Sequence, residues 1–274
     1  MVSDFFDTHT HLTDQDTDFQ AYAQKAAESG VKYLMICSSG LADSRKSADF
    51  AEKVPNACFA VGIHPQDIDA MQQEKIEDFY KFRYCPRLAA IGEIGLDYYY
   101  ESTDPQIQLT VFQRFLDLAL QWKLPAIIHC RDKENAEQAY RDAYEKLLPF
   151  SQNGGRFVLH CFAGNPEWAA RFAELGAYFG IGGLITFKKA ENIRVMADTL
   201  PLDRVLMETD SPYLAPVPFR GKTNHPALLP YSAEAFARLK QKTTAEIREL
   251  TTRNAFRFFA LTETPTGIKL QEFC

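Results

Sequence analysis

Short, almost wholly apolar runs alternate along this chain with longer stretches in which apolar residues recur every three or four positions. The apolar runs fall at 5–10, 33–37, 58–63, 88–94, 126–129, 157–160, 178–181 and 205–208, and their lengths suit strands. Helical periodicity occupies 19–29, 42–53, 74–84, 105–123, 134–148, 166–175 and 190–199. Asp104-Pro105 and Asn165-Pro166 each supply an N-cap followed by a first-turn proline. Two more helices, near 232–242 and 244–259, follow the last strand. Strands and helices that alternate in this way predict a parallel sheet with right-handed crossovers. The count of eight favours an α/β fold closed as a TIM (β/α)8 barrel. With no linker or low-complexity segment in the way, one domain is expected over residues 1–274.

The polar residues at the ends of these strands carry the chemistry. In a (β/α)8 barrel, function gathers on the face built by the loops that follow the strands. His9 and His11 close the first strand, and a period of two turns both imidazoles to one side. His64 follows strand three, Glu93 ends strand four, His129 ends strand five, His160 ends strand six and Asp210 follows strand eight. Five of the 6 histidines therefore fall at one rim. Imidazole and carboxylate are the common ligands of a catalytic metal, so this segregation points to a metal site rather than to scattered surface or core histidines. Simpler roles exist for single residues: a turn for His64 in Gly-Ile-His-Pro, an N-cap for Asp210. Glu93 lies between Ile-Gly and Ile-Gly, where a buried carboxylate without a partner would be costly and a metal would compensate it. Glu208, two residues before Asp210, could reach the same rim.

Composition narrows the reading. At 274 residues and 46% hydrophobic, the chain can bury a large core, enough for two ordinary domains or one barrel. Its 30 basic and 36 acidic residues give a net charge of −6. A broad basic face for nucleic acid is therefore not expected, and any polyanion must be held locally. The start lacks the charged and apolar pattern of a signal peptide, and no apolar segment is long enough to span a bilayer, so no membrane partner is expected and a cytoplasmic protein is. Cysteines 37, 58, 85, 130, 161 and 274 show no Cys-x-x-Cys spacing, which suits reduced thiols. Cys130 and Cys161, next to histidines, should face away from the site.

The motifs Asp7-Thr-His-Thr-His11, Gly62-Ile-His-Pro65, Ile91-Gly-Glu-Ile-Gly-Leu-Asp-Tyr98, Ile128-His-Cys-Arg-Asp132, His160-Cys-Phe-Ala-Gly164 and Glu208-Thr-Asp-Ser-Pro-Tyr-Leu-Ala-Pro216 span nearly the whole chain. In order and in detail this set resembles the TatD family of metal-dependent deoxyribonucleases. The resemblance implies an amidohydrolase-type barrel with His9, His11, Glu93, His129, His160 and Asp210 as metal ligands and Glu93 as the bridge between two ions. It also implies hydrolysis of DNA phosphodiesters, often from the 3′ end, with some members acting on RNA or abasic sites. One departure concerns substrate preference. Where members usually carry Asn-Glu-Pro after the Pro-x-Arg-Gly-Lys stretch, this chain has Asn224-His225-Pro226.

The mechanism expected from these residues uses divalent ions, two per chain and drawn from Mg, Mn or Zn, to activate a water for attack on phosphorus. Asp210 would orient that water and take its proton. Arg131, Arg220 and Lys222 would neutralise neighbouring phosphates, with His64 and a protonated His225 as further contacts. Arg131 could instead pair with a structural carboxylate. Tyr98, Tyr99 and Tyr100 could stack on an unpaired base, favouring single-stranded ends, or pack the barrel rim. The partner expected is DNA, with RNA open; the oligomeric state is open and a monomer is compatible. Two other readings share the scaffold: hydrolysis of an ester, amide or lactone, including deacylation of a tRNA-linked substrate, and a non-catalytic metal-stabilised binding scaffold.

Overall fold

A computed structural model of the chain describes residues 4–68, 75–100 and 103–271. Eight parallel strands pair in chain order: β1 (Phe5–Thr10), β2 (Val31–Ile36), β3 (Ala57–Val61), β4 (Leu88–Asp97), β5 (Ala126–Arg131), β6 (Phe157–Leu159), β7 (Tyr178–Ile181) and β8 (Val205–Met207). Closure occurs just past β8. Thr10 bridges Ser211 in parallel, the His11 N–H donates to the Ser211 carbonyl at 2.7 Å, and the Asp210 N–H donates to the His9 carbonyl at 2.9 Å. The Thr8 hydroxyl adds a bond to the Met207 carbonyl at 3.0 Å. The expected α/β barrel is thus present, and the bonds that close it also fix the backbone of three rim residues.

Helices α1 (Phe19–Glu28), α2 (Leu41–Lys53), α3 (Pro105–Trp122), α4 (Gln138–Gln152), α5 (Pro166–Glu174), α6 (Glu191–Thr199), α7 (Leu229–Leu239) and α8 (Thr244–Phe258) surround the sheet. Caps foreseen from sequence hold two of them: Asp104 accepts from the Gln106 N–H at 2.7 Å and Asn165 from the Trp168 N–H at 2.9 Å. Strand residues such as Leu34, Phe59 and Ile128 bury against helix residues such as Phe50, Phe115 and Phe172. A second apolar layer, with Phe6, Tyr33, Met35, Ile127, Val158 and Leu206, fills the barrel bore. Its lower end is covered by Phe258, Phe259, Leu261 and Ile268.

Several elements differ from expectation. The 74–84 helix is a 3-10 helix over Ile76–Tyr84, and residue 74 lies outside the described residues. Helix α4 starts at Gln138 rather than near 134, because Asn135 takes a left-handed φ of 62° and the Asp132 carboxylate accepts the Ala139 N–H at 2.7 Å. Helix α7 spans Leu229–Leu239 instead of 232–242, with Pro230 in its first turn. The antiparallel hairpin of β9 (Leu261–Thr264) and β10 (Gly267–Leu270) was not foreseen. The described cysteines are free; Cys130 is buried in the outer apolar layer, whereas Cys161 stays half-buried at the rim, and Cys274 lies outside the described residues. No helix among the described residues is long and apolar enough to cross a membrane.

Candidate metal centre

Glu93 occupies the middle of the rim because β4 is irregular there. Ile91 pairs with Ala126 and Ile94 with Ile128, so three steps of β4 span two of β5. Such a bulge re-aims a side chain. The freed Glu93 N–H donates to the Ser38 carbonyl at 3.0 Å. Two residues on, Gly95 has φ 142°, and a Cβ there would fall 2.0 Å from the His129 carbonyl oxygen. This Ile-Gly-Glu-Ile-Gly segment needs glycine for that close approach of backbones. Strand β1 slips similarly between Asp7 and Thr10, where His9 stands.

The two oxygens of Glu93 face different imidazoles. Oε2 lies 3.4 Å from Nε2 of both His9 and His11. Asp210 Oδ1 completes this group at 3.9 Å from His9 Nε2 and 3.7 Å from His11 Nε2, and the two imidazole nitrogens are 3.0 Å apart. Oε1 instead lies 2.7 Å from His160 Nε2, 2.9 Å from His129 Nδ1 and 3.9 Å from His64 Nε2. Four ligands each about 2.1 Å from one tetrahedral ion sit about 3.4 Å from each other, so the first group has the spacing of a metal's ligands. The donors themselves, imidazole nitrogens and carboxylate oxygens buried around one point, are the usual ligands of a divalent cation. The residues present therefore fit a divalent cation on either side of Glu93.

The surroundings orient these rings. His11 Nδ1 faces the Cys37 carbonyl at 3.1 Å, which leaves Nε2 toward the cluster. His129 Nε2 faces Asp97 Oδ2 at 3.0 Å, leaving Nδ1 toward Glu93. Glu208 Oε1 lies 3.6 Å from His160 Nδ1 and accepts the Cys161 N–H at 2.5 Å. The fully buried Asp7 accepts from the Thr209 hydroxyl (2.5 Å), the Thr209 N–H (3.0 Å) and the His9 N–H (3.2 Å), tying β1 to the segment after β8. Asp7 has its pKa pushed up to about 7 by burial, against the lowering pull of Thr209 and His9. Asp97 and Asp7 were not assigned roles from sequence; Glu208, which could reach the rim by its place two residues before Asp210, stands behind His160 instead. Asp97 falls past the end expected for strand four, and only its acidic character inside an apolar strand signals it.

Charges within the cluster compensate one another. Burial disfavours the Glu93 carboxylate, but His160, His9, His64 and His11 outweigh it and hold its pKa well below the usual range. Asp210 is lowered in the same way, burial being outweighed by His11, His160 and His9. Burial lowers His11 too, yet its bonds to Asp210 and Glu93 prevail and raise it to about 10. His129 and His160 are also raised, as Asp97, Glu93 and Glu208 outweigh burial. Protons on these rings balance the carboxylates, and a divalent cation supplies the same charge. His9 and His64 are different: burial, with His160 assisting, lowers His9, and burial, with His129 and His11 assisting against Glu93, lowers His64 to about 3, its Nδ1 accepting the Gln66 N–H at 3.2 Å.

The residues expected to contact substrate do not all converge. Arg131 is at the rim with its guanidinium 3.9 Å from the Tyr99 ring centroid and 5.3 Å from that of Tyr100; no carboxylate pairs with it among the described residues. Tyr99 and Tyr100 are exposed, whereas Tyr98 packs against the outer core and its hydroxyl donates to Asp142 at 2.8 Å. Of the three rings, Tyr98 is therefore the packing one. Arg220 and Lys222 are exposed on the loop after β8. His225 caps the 3-10 helix Pro226–Leu228, its Nδ1 accepting the Ala227 N–H at 3.0 Å, and it packs 4.4 Å from the Tyr22 ring. Burial, then Lys25, against Asp16, lowers its pKa to about 4. Burial and the bond from the Ala227 N–H both favour the neutral ring, which runs against the protonated phosphate contact expected of His225.

Comparison with known proteins agrees with this arrangement. The family model described as TatD related DNase matches residues 6–260. The uncharacterized metal-dependent hydrolase YabD of Bacillus subtilis is 34% identical over 258 residues, covering 93% of this chain and 99% of that protein. The 3'-5' ssDNA/RNA exonuclease TatD of Erwinia tasmaniensis is 31% identical over 265 residues, covering 93% of this chain and all (100%) of that one. Among solved structures, the TatD homologue YjjV of Escherichia coli superposes with a TM-score of 0.84 at 26% identity, covering 96% of this chain and 100% of its own.

Proposed function

Since the chain belongs to the family of TatD-related DNases, which are metal-dependent hydrolases, we propose that it hydrolyses phosphodiester bonds of nucleic acid, removing nucleotides from the 3′ end of single-stranded DNA. The observation that carries this reading is the division of Glu93, one oxygen toward His9 and His11 and the other toward His129 and His160. A carboxylate shared in this way suits two ions a few ångströms apart, the arrangement used to displace oxygen from phosphorus. His9, His11 and Asp210 would hold one ion, His129 and His160 the other, and Glu93 both, with His64 at the edge of the second group. When bound, such ions lower the pKa of water and polarise a phosphoryl oxygen. The donor set suits zinc or manganese, and magnesium is the third candidate.

Each residue then has a task. Asp210, ionised and partly open to solvent at 14% side-chain exposure, orients the attacking water and accepts its proton. Asp97 and the Cys37 carbonyl fix the rings of His129 and His11. Arg131 neutralises a phosphate adjacent to the scissile one, and its planar group on Tyr99 leaves Tyr100 and the Tyr99 edge for an unpaired base. Because Asp97 Oδ1 also accepts the Tyr99 N–H at 2.9 Å, one carboxylate joins the aromatic turn to His129. The E. tasmaniensis relative, named as a 3'-5' ssDNA/RNA exonuclease, supports both polarity and single-strand preference, and leaves RNA as a second substrate.

Release of label from 3′-labelled oligonucleotides, measured beside a panel of carboxylic esters and lactones with metal present, tests this reading. Mononucleotide release with the esters intact is expected. Ester turnover with intact oligonucleotides would make the protein a different hydrolase on the same barrel.

A further inference from the structure

Away from the cluster but on the same barrel face, a concavity of about 550 Å³ is lined by Phe187, Lys188, Lys189, Ala190, Asn192 and Arg220. Its walls are the loop after β7, the first turn of α6 and the loop after β8. The two loops are fastened together: the Thr186 hydroxyl accepts the Val217 N–H at 2.9 Å, and Gly183 packs so closely that a Cβ would fall 1.9 Å from the Leu214 carbonyl oxygen. Arg194 of α6 holds the first loop from behind, donating to the carbonyls of Ile185 (3.2 Å), Phe187 (2.8 Å) and Lys188 (3.4 Å). The site is therefore held open by the fold rather than by its own lining.

The charges of the lining are uncompensated. On the outer helices, cations pair with acids of their own helix, as in Arg171 with Glu167, Arg238 with Glu234 and Lys53 with Asp49. Lys188, Lys189 and Arg220, by contrast, have no carboxylate partner among the described residues. The Arg220 guanidinium lies 4.0 Å from the Phe187 ring centroid, which fixes its plane and leaves its outward N–H groups for an oxyanion. In a chain of net charge −6, three free cations around one pocket favour an anion, and a lining with one aromatic ring offers little to an apolar ligand.

Resting on the nucleic-acid reading above, we propose that this pocket is a second anion subsite, which takes an internucleotide phosphate of a single strand away from the bond being cut. It makes binding depend on strand length. A dinucleotide reaches only the catalytic cluster, whereas a longer strand also fills the pocket.

The test compares the metal-loaded protein with its Lys188→Ala/Lys189→Ala double variant, which alters two exposed side chains. Binding of a fluorescent, phosphorothioate-linked single strand of about 12 nucleotides is followed over a range of salt. Each phosphate contact on a single strand contributes about −0.7 to the slope of log affinity against log salt. The double variant should therefore lose about 0.7 of slope, the share of the one phosphate the pocket holds, and bind roughly 5-fold more weakly at about 0.1 M salt, while cleaving a dinucleotide at the wild-type kcat/KM. If the wild type gains affinity with length but the double variant keeps the same slope and length dependence, the pocket assignment is overturned and the nuclease reading stands. If wild-type protein binds and cleaves no strand of any length, the nuclease reading falls and takes the pocket with it. Equal displacement of dinucleotide and long strand by inorganic phosphate would show a lone-anion site and overturn the internucleotide assignment.

Discussion

Asp97 does three things with one carboxylate. It accepts from the Gln66 side-chain amide at 2.8 Å, faces His129 Nε2 at 3.0 Å and accepts the Tyr99 N–H at 2.9 Å. A carboxylate behind a metal-bound imidazole fixes the ring and raises its basicity, and its loss usually costs 10- to 100-fold in metal affinity or activity. Asp97→Asn is accordingly expected to weaken metal binding by about that factor in a calorimetric titration, with a cooperative thermal melt retained. An unchanged titration would make Asp97 a structural residue of the Tyr99 turn alone. Glycine 180 makes room behind His160 in a similar way, because a Cβ there would fall 2.1 Å from Glu208 Oε2. Gly180→Ala should displace Glu208 and lower metal affinity, whereas Gly154→Ala, whose φ of 85° strains an alanine but whose Cβ position meets open space away from the cluster, should cost stability and leave metal affinity unchanged. Both outcomes are read from the same titration. At this scale the sequence was most legible where residue type and strand position coincide, as in His9, His11, His129 and His160. His225 shows the limit: its role depends on the Ala227 N–H and the Tyr22 ring, contacts that chemical type does not reveal.

Elements on opposite ends of the barrel serve different ends. The strands' rim ends and the loops after them carry the cluster, while the hairpin of β9 and β10 seats Leu261 and Ile268 beneath the bore beside Phe258 and Phe259. Truncating a fully buried Ile removes its transfer energy and leaves a cavity, at a cost of about 2–5 kcal/mol. Ile268→Ala should therefore lower the midpoint of denaturant unfolding substantially while leaving the folded protein's metal affinity intact. Loss of metal affinity in the folded variant would contradict that separation. The hairpin escaped the periodicity reading because strands of four residues at the chain's end carry too little pattern to be distinguished from a tail. Strand β4 illustrates the converse. Its apolar run marked a strand to residue 94, but the bulge at Glu93 and the glycine at 95 let it continue to Asp97, and bulges have no simple sequence period.

For the whole molecule, the concentration of imidazoles and acids at one mouth ties metal binding to pH. His11, raised to about 10, contributes stability to metal-stripped protein that is fully present below its unfolded pKa of about 6.5 and is lost as pH rises through 10. Glu93 and Asp210, lowered, contribute stability present above their unfolded values and lost as pH falls through their folded ones. Metal must displace the ring protons, so its affinity should rise with pH between about 6 and 9, and binding should release protons. Titrations in buffers of different ionisation enthalpy measure that release directly. An affinity independent of pH would mean that the rings are not ligands.

The central claim is that Glu93 joins two cations at the rim, and electron paramagnetic resonance of protein loaded with Mn(II) tests it most directly. The wild type should give the signal of a spin-coupled manganese pair, replaced by uncoupled ions or by loss of one ion in a folded Glu93→Ala variant. A wild type that shows only isolated manganese, or a Glu93→Ala protein that keeps the coupled pair, would contradict it.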